Sequence, residues 1–406
     1  MSTNWRTIAT LFAMMFASQL ALTIYLPAVP DIAAELGVTP GRVQLIIPAY
    51  LIAFAITQLI AGPLSDAFGR KPVILCGLGL FCVASLGCAL STELWQLIAA
   101  RFAQAAGACA TIAVGRAIIR DTSEGKSAAK AMSYLAMALG VGPAVAPFFG
   151  SLLLEPFSWH ATFYATAVMS AAVLLFGAGI LRETLPPELR RPFQASGLAT
   201  VYLSLLRQRE FMGYSLTISF QSGTFQVFIT ASPIVLIGLM GLSRELYGLY
   251  VMCIPAGFIL ASFIVSVLVT RIPINTIITT GCVFGVAGGL MQAILALTGT
   301  ATPELIVAAI LVSNFGTGLV FANCYALALS TVTPSYAGAA SALGGFLHQG
   351  WAFVVSFIAA EIMHTSSLQM GIAQSLTTMA ALTTFLLTVV FFTARTARRE
   401  RAVPRP

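Results

Sequence analysis

Charge is what this chain most lacks. Only 9% of its 406 residues are Asp, Glu, Lys or Arg, against roughly a quarter in soluble domains. A chain that poor in charge cannot cover itself for water, which excludes a soluble enzyme, a secreted disulfide scaffold and a nucleic-acid module, in spite of a formal net charge of +7. Histidine is nearly missing too. His160, His348 and His364 are too scattered to hold a metal. The seven cysteines all fall in apolar stretches without a Cys-x-x-Cys spacing, so they read as small packing residues. No Walker sequence and no polar segment large enough for a catalytic domain is present. The composition therefore implies no catalysis, no cofactor and no metal.

What remains is hydrophobic: 58% of the residues, with a mean hydropathy of +0.92. Apolar stretches lie at about 8–29, 43–62, 73–90, 95–117, 131–153, 160–181, 212–238, 246–268, 276–298, 304–327, 338–363 and 370–393. Each is near the ~20 residues a helix needs to cross ~30 Å of hydrocarbon. The expected class is an all-α polytopic membrane protein of twelve spans. Lys and Arg are distributed unevenly over its loops. Arg6, Arg70, Lys71, Arg120, Lys126, Lys130, Arg182, Arg190, Arg191, Arg207, Arg209, Arg271 and the tail arginines 395, 398, 399, 401 and 405 share one side. Only Arg42 and Arg244 lie opposite, which predicts cytoplasmic termini. The first stretch lacks a small-residue cleavage site and is followed by Asp31, so a retained helix is expected.

The longest polar stretch divides the spans six and six. The expected domains are a bundle at 1–181, a cytoplasmic linker at 182–211, a second bundle at 212–393 and a basic tail at 394–406. Short connections force antiparallel neighbours inside each half. Two bundles on a linker suggest a rocking carrier, although channels, sensors and membrane enzymes also have many spans.

Four local patterns stand out. Gly62-Pro63-Leu64-Ser65-Asp66-Ala67-Phe68-Gly69-Arg70-Lys71-Pro72 joins spans two and three. Gly62 and Pro63 can end the second helix, and Gly69 allows a tight turn. Asp66 then sits near a helix start, with Arg70 one turn away, as an electrostatic clasp on the cytoplasmic side. Asp66 is expected to pair with Arg120, and Arg70 to lie near Asp121. Second, Arg101 falls inside the fourth span, where a charge is costly, and is expected to face the bundle interior or a wet cavity. Third, Arg116, about four turns later, either shares that face or snorkels to the headgroups. Fourth, Pro143 and Pro147, between Gly142 and Gly150, should distort the fifth span and give it a pivot.

These patterns resemble motifs of the major facilitator superfamily. The loop is similar to motif A, in which Gly62, Asp66, Gly69, Arg70 and Lys71 would form the cytoplasmic gate with Arg120 and Asp121. Arg101-x-x-Gln104-x-x-Gly107 resembles motif B, whose arginine is implicated in proton coupling. Gly142, Pro143, Pro147 and Gly150 lie in a stretch similar to motif C, the antiporter signature. Tyr25-Leu26-Pro27, Arg120-Asp121, Glu183-Thr184-Leu185-Pro186-Pro187 and Ser232-Pro233-Ile234 look like the Bcr/CflA drug-resistance subfamily. The resemblance implies a bacterial inner-membrane antiporter of two six-helix bundles, working as a monomer among lipid. It would export small organic molecules in exchange for protons, with no nucleic acid. One position departs. The subfamily usually carries an Asp two residues before the span-one tyrosine, and here Thr23 stands there.

A proton switch needs a group that titrates between two exposures. Besides Arg101, the candidates are Asp31 at the outer mouth and Glu361 and His348 in span eleven. His348 also reads as a donor to a backbone carbonyl between helices. The expected cavity lining is neutral and aromatic: Gln19, Thr23, Tyr25, Tyr50, Gln221, Gln226, Asn314, Asn323, His348 and Trp351, with Arg116 as one positive point near its floor. Half of these amides and hydroxyls are equally expected to bond between helices.

Overall fold

A run of apolar residues in hydrocarbon satisfies its backbone only by coiling on itself. The computed structural model describes residues 5–123, 125–190, 195–269, 271–333, 336–362 and 366–390, and among these it contains helices and no strand. Twelve helical spans are long and apolar enough to cross a membrane. In chain order they are Trp5–Glu35 (α1), Pro40–Phe68 (α2), Arg70–Ala89 (α3), Leu94–Thr122 (α4), Lys130–Leu154 (α5), His160–Ile180 (α6), Arg209–Leu239 (α7), Arg244–Leu268 (α8), Ile274–Leu297 (α9), Pro303–Ser330 (α10), Ala337–Ile362 (α11) and Ser367–Val389 (α12). The expected tail at 394–406 and linker residues 191–194 lie outside the described residues.

Breaks inside α1 and α7 follow proline, whereas α5 runs as one unbroken α-helix through Pro143 and Pro147 to Leu154, contrary to the distortion expected there. In α1 the α-helix stops at Thr23, and a 3-10 turn at Leu26–Ala28 built on Pro27 precedes a second helix, Val29–Glu35. The last turn of α7 widens to a π-helix at Pro233–Leu239, since Pro233 offers no N–H to the ordinary ladder. Gly62 and Pro63 do not end α2, contrary to expectation. The helix runs through them to Phe68 and stops only at Gly69.

The chain forms two compact units. One contains Met1–Gln194 with Ile229–Cys253 and Ser356–His364, and the other contains Ala195–Phe228, Ile254–Val355 and Thr365–Pro406. The units thus differ from the sequence halves in two short segments, the end of α7 with the start of α8, and the end of α11. In the first unit Leu11, Met14, Met15, Phe81, Ile112 and Ile118 build a buried core among α1, α3 and α4. The start of α8 also belongs here: a side chain on Gly248 would come 2.9 Å from the Phe148 Cα of α5. In the second unit Ala261, Val265, Ile277 and Leu319 join α8, α9 and α10.

Candidate functional site

The first unit holds most of the chemistry. At the end nearest the linker, α3 opens after Gly69, whose φ of +98° suits a residue without a side chain. The first N–H groups of a helix have no internal partner. Here Glu183, just beyond α6, serves them. Its Oε1 accepts from the Arg70 amide at 2.9 Å and its Oε2 from the Lys71 amide at 3.2 Å. The same Oε1 accepts from the amides of Thr184 and Leu185, both at 2.9 Å. A side chain at residue 69 would overlap that carboxylate. Partial burial pushes the Glu183 carboxyl upward, but its backbone N–H donors outweigh this and hold it below the usual carboxylate range.

Arg70 is the hub of the clasp. Its guanidinium is buried and reaches Asp66 at 2.5 Å, Asp121 at 2.9 Å and the Ser65 hydroxyl at 2.6 Å. Asp66 therefore pairs with Arg70, four residues on across the break at Gly69, and not with Arg120. The exposed Arg120 side chain lies 3.9 Å from Asp121. Lys71 donates to the Ala178 carbonyl at 3.0 Å, near the end of α6, where a cation is favoured. Gly62 only offers its carbonyl to Ser65 at 2.8 Å. The clasp thus joins α2, α3, α4 and the chain after α6.

Arg101 is fully buried in α4. Its Nη1 donates to the Ala21 carbonyl at 3.0 Å and to Gln104 Oε1 at 2.6 Å, and its Nη2 to the Leu22 carbonyl at 3.4 Å. Those carbonyls are free because the α-helix of α1 stops at Thr23. Gln104 passes its amide to Ser85 at 2.7 Å. The faces of Tyr25 and Tyr50 close over the guanidinium, with centroids 4.8 and 4.4 Å from Cζ. Among the described residues no carboxylate lies within ion-pair reach of Arg101. Tyr25 and Tyr50 are buried as the walls of this cation site.

Gln19 and Thr23 turn to α5. The Thr23 hydroxyl donates to the Pro143 carbonyl at 3.0 Å, and the Gln19 amide to the Leu139 carbonyl at 3.4 Å. At the end away from the linker Asp31 is ion-paired with Arg244, each about a third exposed. Glu35 takes hydrogen bonds from Trp159 at 2.8 Å and lies 2.9 Å from His160 Nε2. An apolar cavity of about 270 Å³ among α1, α5 and α6 is lined by Leu20, Ile24, Phe149, Leu152, Leu153, Ala165 and Met169, none of them an expected cavity residue. Arg116 is half-buried and makes no ion pair among the described residues.

In the second unit Gln221 of α7 is fully buried against Gly285 of α9, and among the described residues neither of its amide atoms finds a partner. Trp351 of α11 sets its ring edge-on to Phe220 at 4.6 Å, its indole N–H against Gly223. Asn314 donates to the Ile254 carbonyl at 3.3 Å and Asn323 to its own helix at Leu319, 2.8 Å away. His348 is half-buried, edge-on to Phe321 at 5.8 Å, and Gln226 is also half-buried. Glu361 is exposed near the end of α11. Asn314 and Asn323 therefore hold backbone, whereas Gln221 and Trp351 present unmet polar atoms.

Sequence reading found the Arg70, Arg101 and double-proline features but missed four partners. Glu183 and Arg244 come from far along the chain, with no local spacing to reveal them. The Leu139 and Pro143 carbonyls, open because Pro143 and Pro147 lack an N–H, are met by Gln19 and Thr23, which sequence reading gave to the cavity.

Comparison with known proteins agrees with this architecture. The Major Facilitator Superfamily model matches residues 11–356. A bicyclomycin resistance protein homolog of Haemophilus influenzae is 32% identical over 67% of this chain and 68% of its own length. Multidrug resistance protein D of Escherichia coli is 29% identical over 92% of this chain and 93% of its own. Other curated relatives are matched over 62% of their length, less than two thirds. A transporter of the POT family, solved with 5-aminolevulinic acid, superposes with a TM-score of 0.76 at 12% identity, over 95% of this chain and 96% of that one, which shows the shared fold. The chain is a multi-pass protein of the bacterial inner membrane with twelve helical spans, and it belongs to the Major Facilitator Superfamily.

Proposed function

We propose that this protein is a secondary transporter that exports small amphipathic organic molecules by alternating access, in exchange for protons. Its halves 1–181 and 212–393 are the moving parts, 182–211 is the cytoplasmic linker, and one monomer is the working unit. The observation that supports this best is α5. It carries two prolines one turn apart, and side chains of α1 meet both carbonyls those prolines leave open. A helix held in this way bends without stranding a polar group in hydrocarbon, and bending is what alternating access asks of a bundle helix. The names of the relatives, bicyclomycin resistance and multidrug resistance, point to drug-like cargo. Arg116, half-buried without an ion pair among the described residues, extends the cargo to anionic or zwitterionic compounds.

One observation favours a second reading, proton-independent carriage. Among the described residues Arg101 has no carboxylate in reach, and the Thr23 hydroxyl is committed to Pro143. Purified protein in liposomes with an imposed pH gradient separates the two, using chloramphenicol-like and zwitterionic compounds with lumenal pH read alongside flux. Substrate flux with matching proton movement supports antiport. Flux indifferent to the gradient leaves the second reading, and no flux of any compound removes both.

A further inference from the structure

We propose that Gln19 and Thr23 are positioning residues: they supply from α1 the two hydrogen-bond donors that α5 loses at Pro143 and Pro147, and so hold the helix on one defined path through both prolines. Its functional half rests on the reading of the chain as a carrier; its structural half does not.

The argument is one of register. In an α-helix the N–H of each residue donates to the carbonyl four residues earlier, and proline has no N–H. Pro143 therefore leaves the Leu139 carbonyl open, and Pro147 leaves that of Pro143 open. The Gln19 amide reaches the first at 3.4 Å and the Thr23 hydroxyl the second at 3.0 Å. Donors, acceptors and prolines are all spaced by four, so one helical turn of α1 matches one turn of α5. Thr23 is fully buried, and Pro143 lies within the apolar span α5. Unmet, such a carbonyl is expensive in hydrocarbon.

The packing around the two bonds fits the same role. A side chain on Gly142 would come 2.8 Å from the Gln19 Cβ, and one on Gly150 would come 2.9 Å from the Ile24 carbonyl carbon. Only bare backbone at these two positions lets α1 approach closely enough for Gln19 and Thr23 to reach. The stitch also depends on no titration, because a hydroxyl and an amide donate at any pH at which the protein folds.

The test is a set of double-mutant cycles on the full chain purified in detergent, read as the melting midpoint. Thr23→Val keeps the shape and removes the donor, and should lower the midpoint by about 2–4 °C, while Thr23→Ser stays near wild type. Pro147→Ala returns the helical N–H to the Pro143 carbonyl, so in that background Thr23→Val should cost almost nothing. The crossed pair, Thr23→Val with Pro143→Ala, should add. Gln19→Leu should be suppressed by Pro143→Ala and not by Pro147→Ala, and this half-buried position keeps the test open if Thr23→Val does not fold. Equal losses in both alanine backgrounds, or no difference between Thr23→Val and Thr23→Ser, would overturn the stitch.

Liposome flux reads the functional half. Thr23→Val should cut turnover about fivefold with KM unchanged, the effect of one lost hydrogen bond on a moving helix, and Thr23→Ser should rescue it. Pro147→Ala should be stable yet slow. A Pro147→Ala protein that transports like wild type removes the role in transport and leaves the stitch standing. A failed cycle removes the stitch whatever the flux, and a wild type without flux tells against the carrier reading alone.

Discussion

Gly150→Ala tests how closely α1 and α5 must approach. A methyl group at residue 150 would overlap the Ile24 carbonyl oxygen and lie 2.9 Å from its carbon. Both atoms are backbone, so no rotamer change relieves the clash and the helices must separate. Overpacking of this kind costs about 1–3 kcal/mol. A separation of roughly 1 Å would also stretch the Thr23 bond, now 3.0 Å, past hydrogen-bonding range and lose about 1 kcal/mol more. The total is about 2–4 kcal/mol. Gly140→Ala is the control. It lies on the same helix with nothing within 4 Å of the added carbon, and alanine there should gain up to about 1 kcal/mol of helix propensity. Chemical unfolding of the purified chain should therefore move the two variants in opposite directions. A Gly150→Ala protein as stable as Gly140→Ala would refute the close approach and the stitch that depends on it.

The remaining perturbations address the charged groups. Glu183→Gln puts an amide donor against the N–H groups that begin α3, and should destabilise by about 1–2 kcal/mol. Because the folded carboxyl is held low, the wild-type contribution is present above the ordinary carboxylate pKa and lost as pH falls through the folded value. Melting midpoints followed into acid should show that step in wild type and not in Glu183→Gln. Arg101→Lys keeps the charge, but one ammonium cannot span two backbone carbonyls and Gln104 between two tyrosine faces, so turnover should fall at least about tenfold; unchanged flux would make Arg101 a mere point charge. Arg116→Gln should weaken flux of anionic cargo selectively, and equal loss for neutral compounds would end its assignment to cargo.

The twelve spans were legible because each apolar run nears the thickness of a bilayer, and Arg101 was legible because a charge in such a run must turn inward. The surroundings of Arg101 were not, since the Ala21 and Leu22 carbonyls become available only where α1 breaks before Pro27. Asp66 illustrates a different limit. Sequence suggested Arg120 as the partner, whereas α2 carries on past Pro63 to Phe68 and Arg70, just beyond the turn at Gly69, takes that carboxylate. Glu183 caps a helix more than a hundred residues earlier, and only the glycine at 69 hinted that something lay against it. Gln19 and Thr23, one helical turn apart, were given to the cavity. Counting the carbonyls orphaned by Pro143 and Pro147 would have pointed them to α5.

Counterflow in liposomes tests the proposed carrier most directly. Vesicles preloaded with unlabelled substrate are diluted into labelled substrate, with no ion gradient imposed. An alternating-access carrier exchanges one for the other and accumulates label transiently above equilibrium, and Thr23→Val should slow that overshoot without abolishing it. Label that only equilibrates, or never enters for any compound of the panel, would contradict the account.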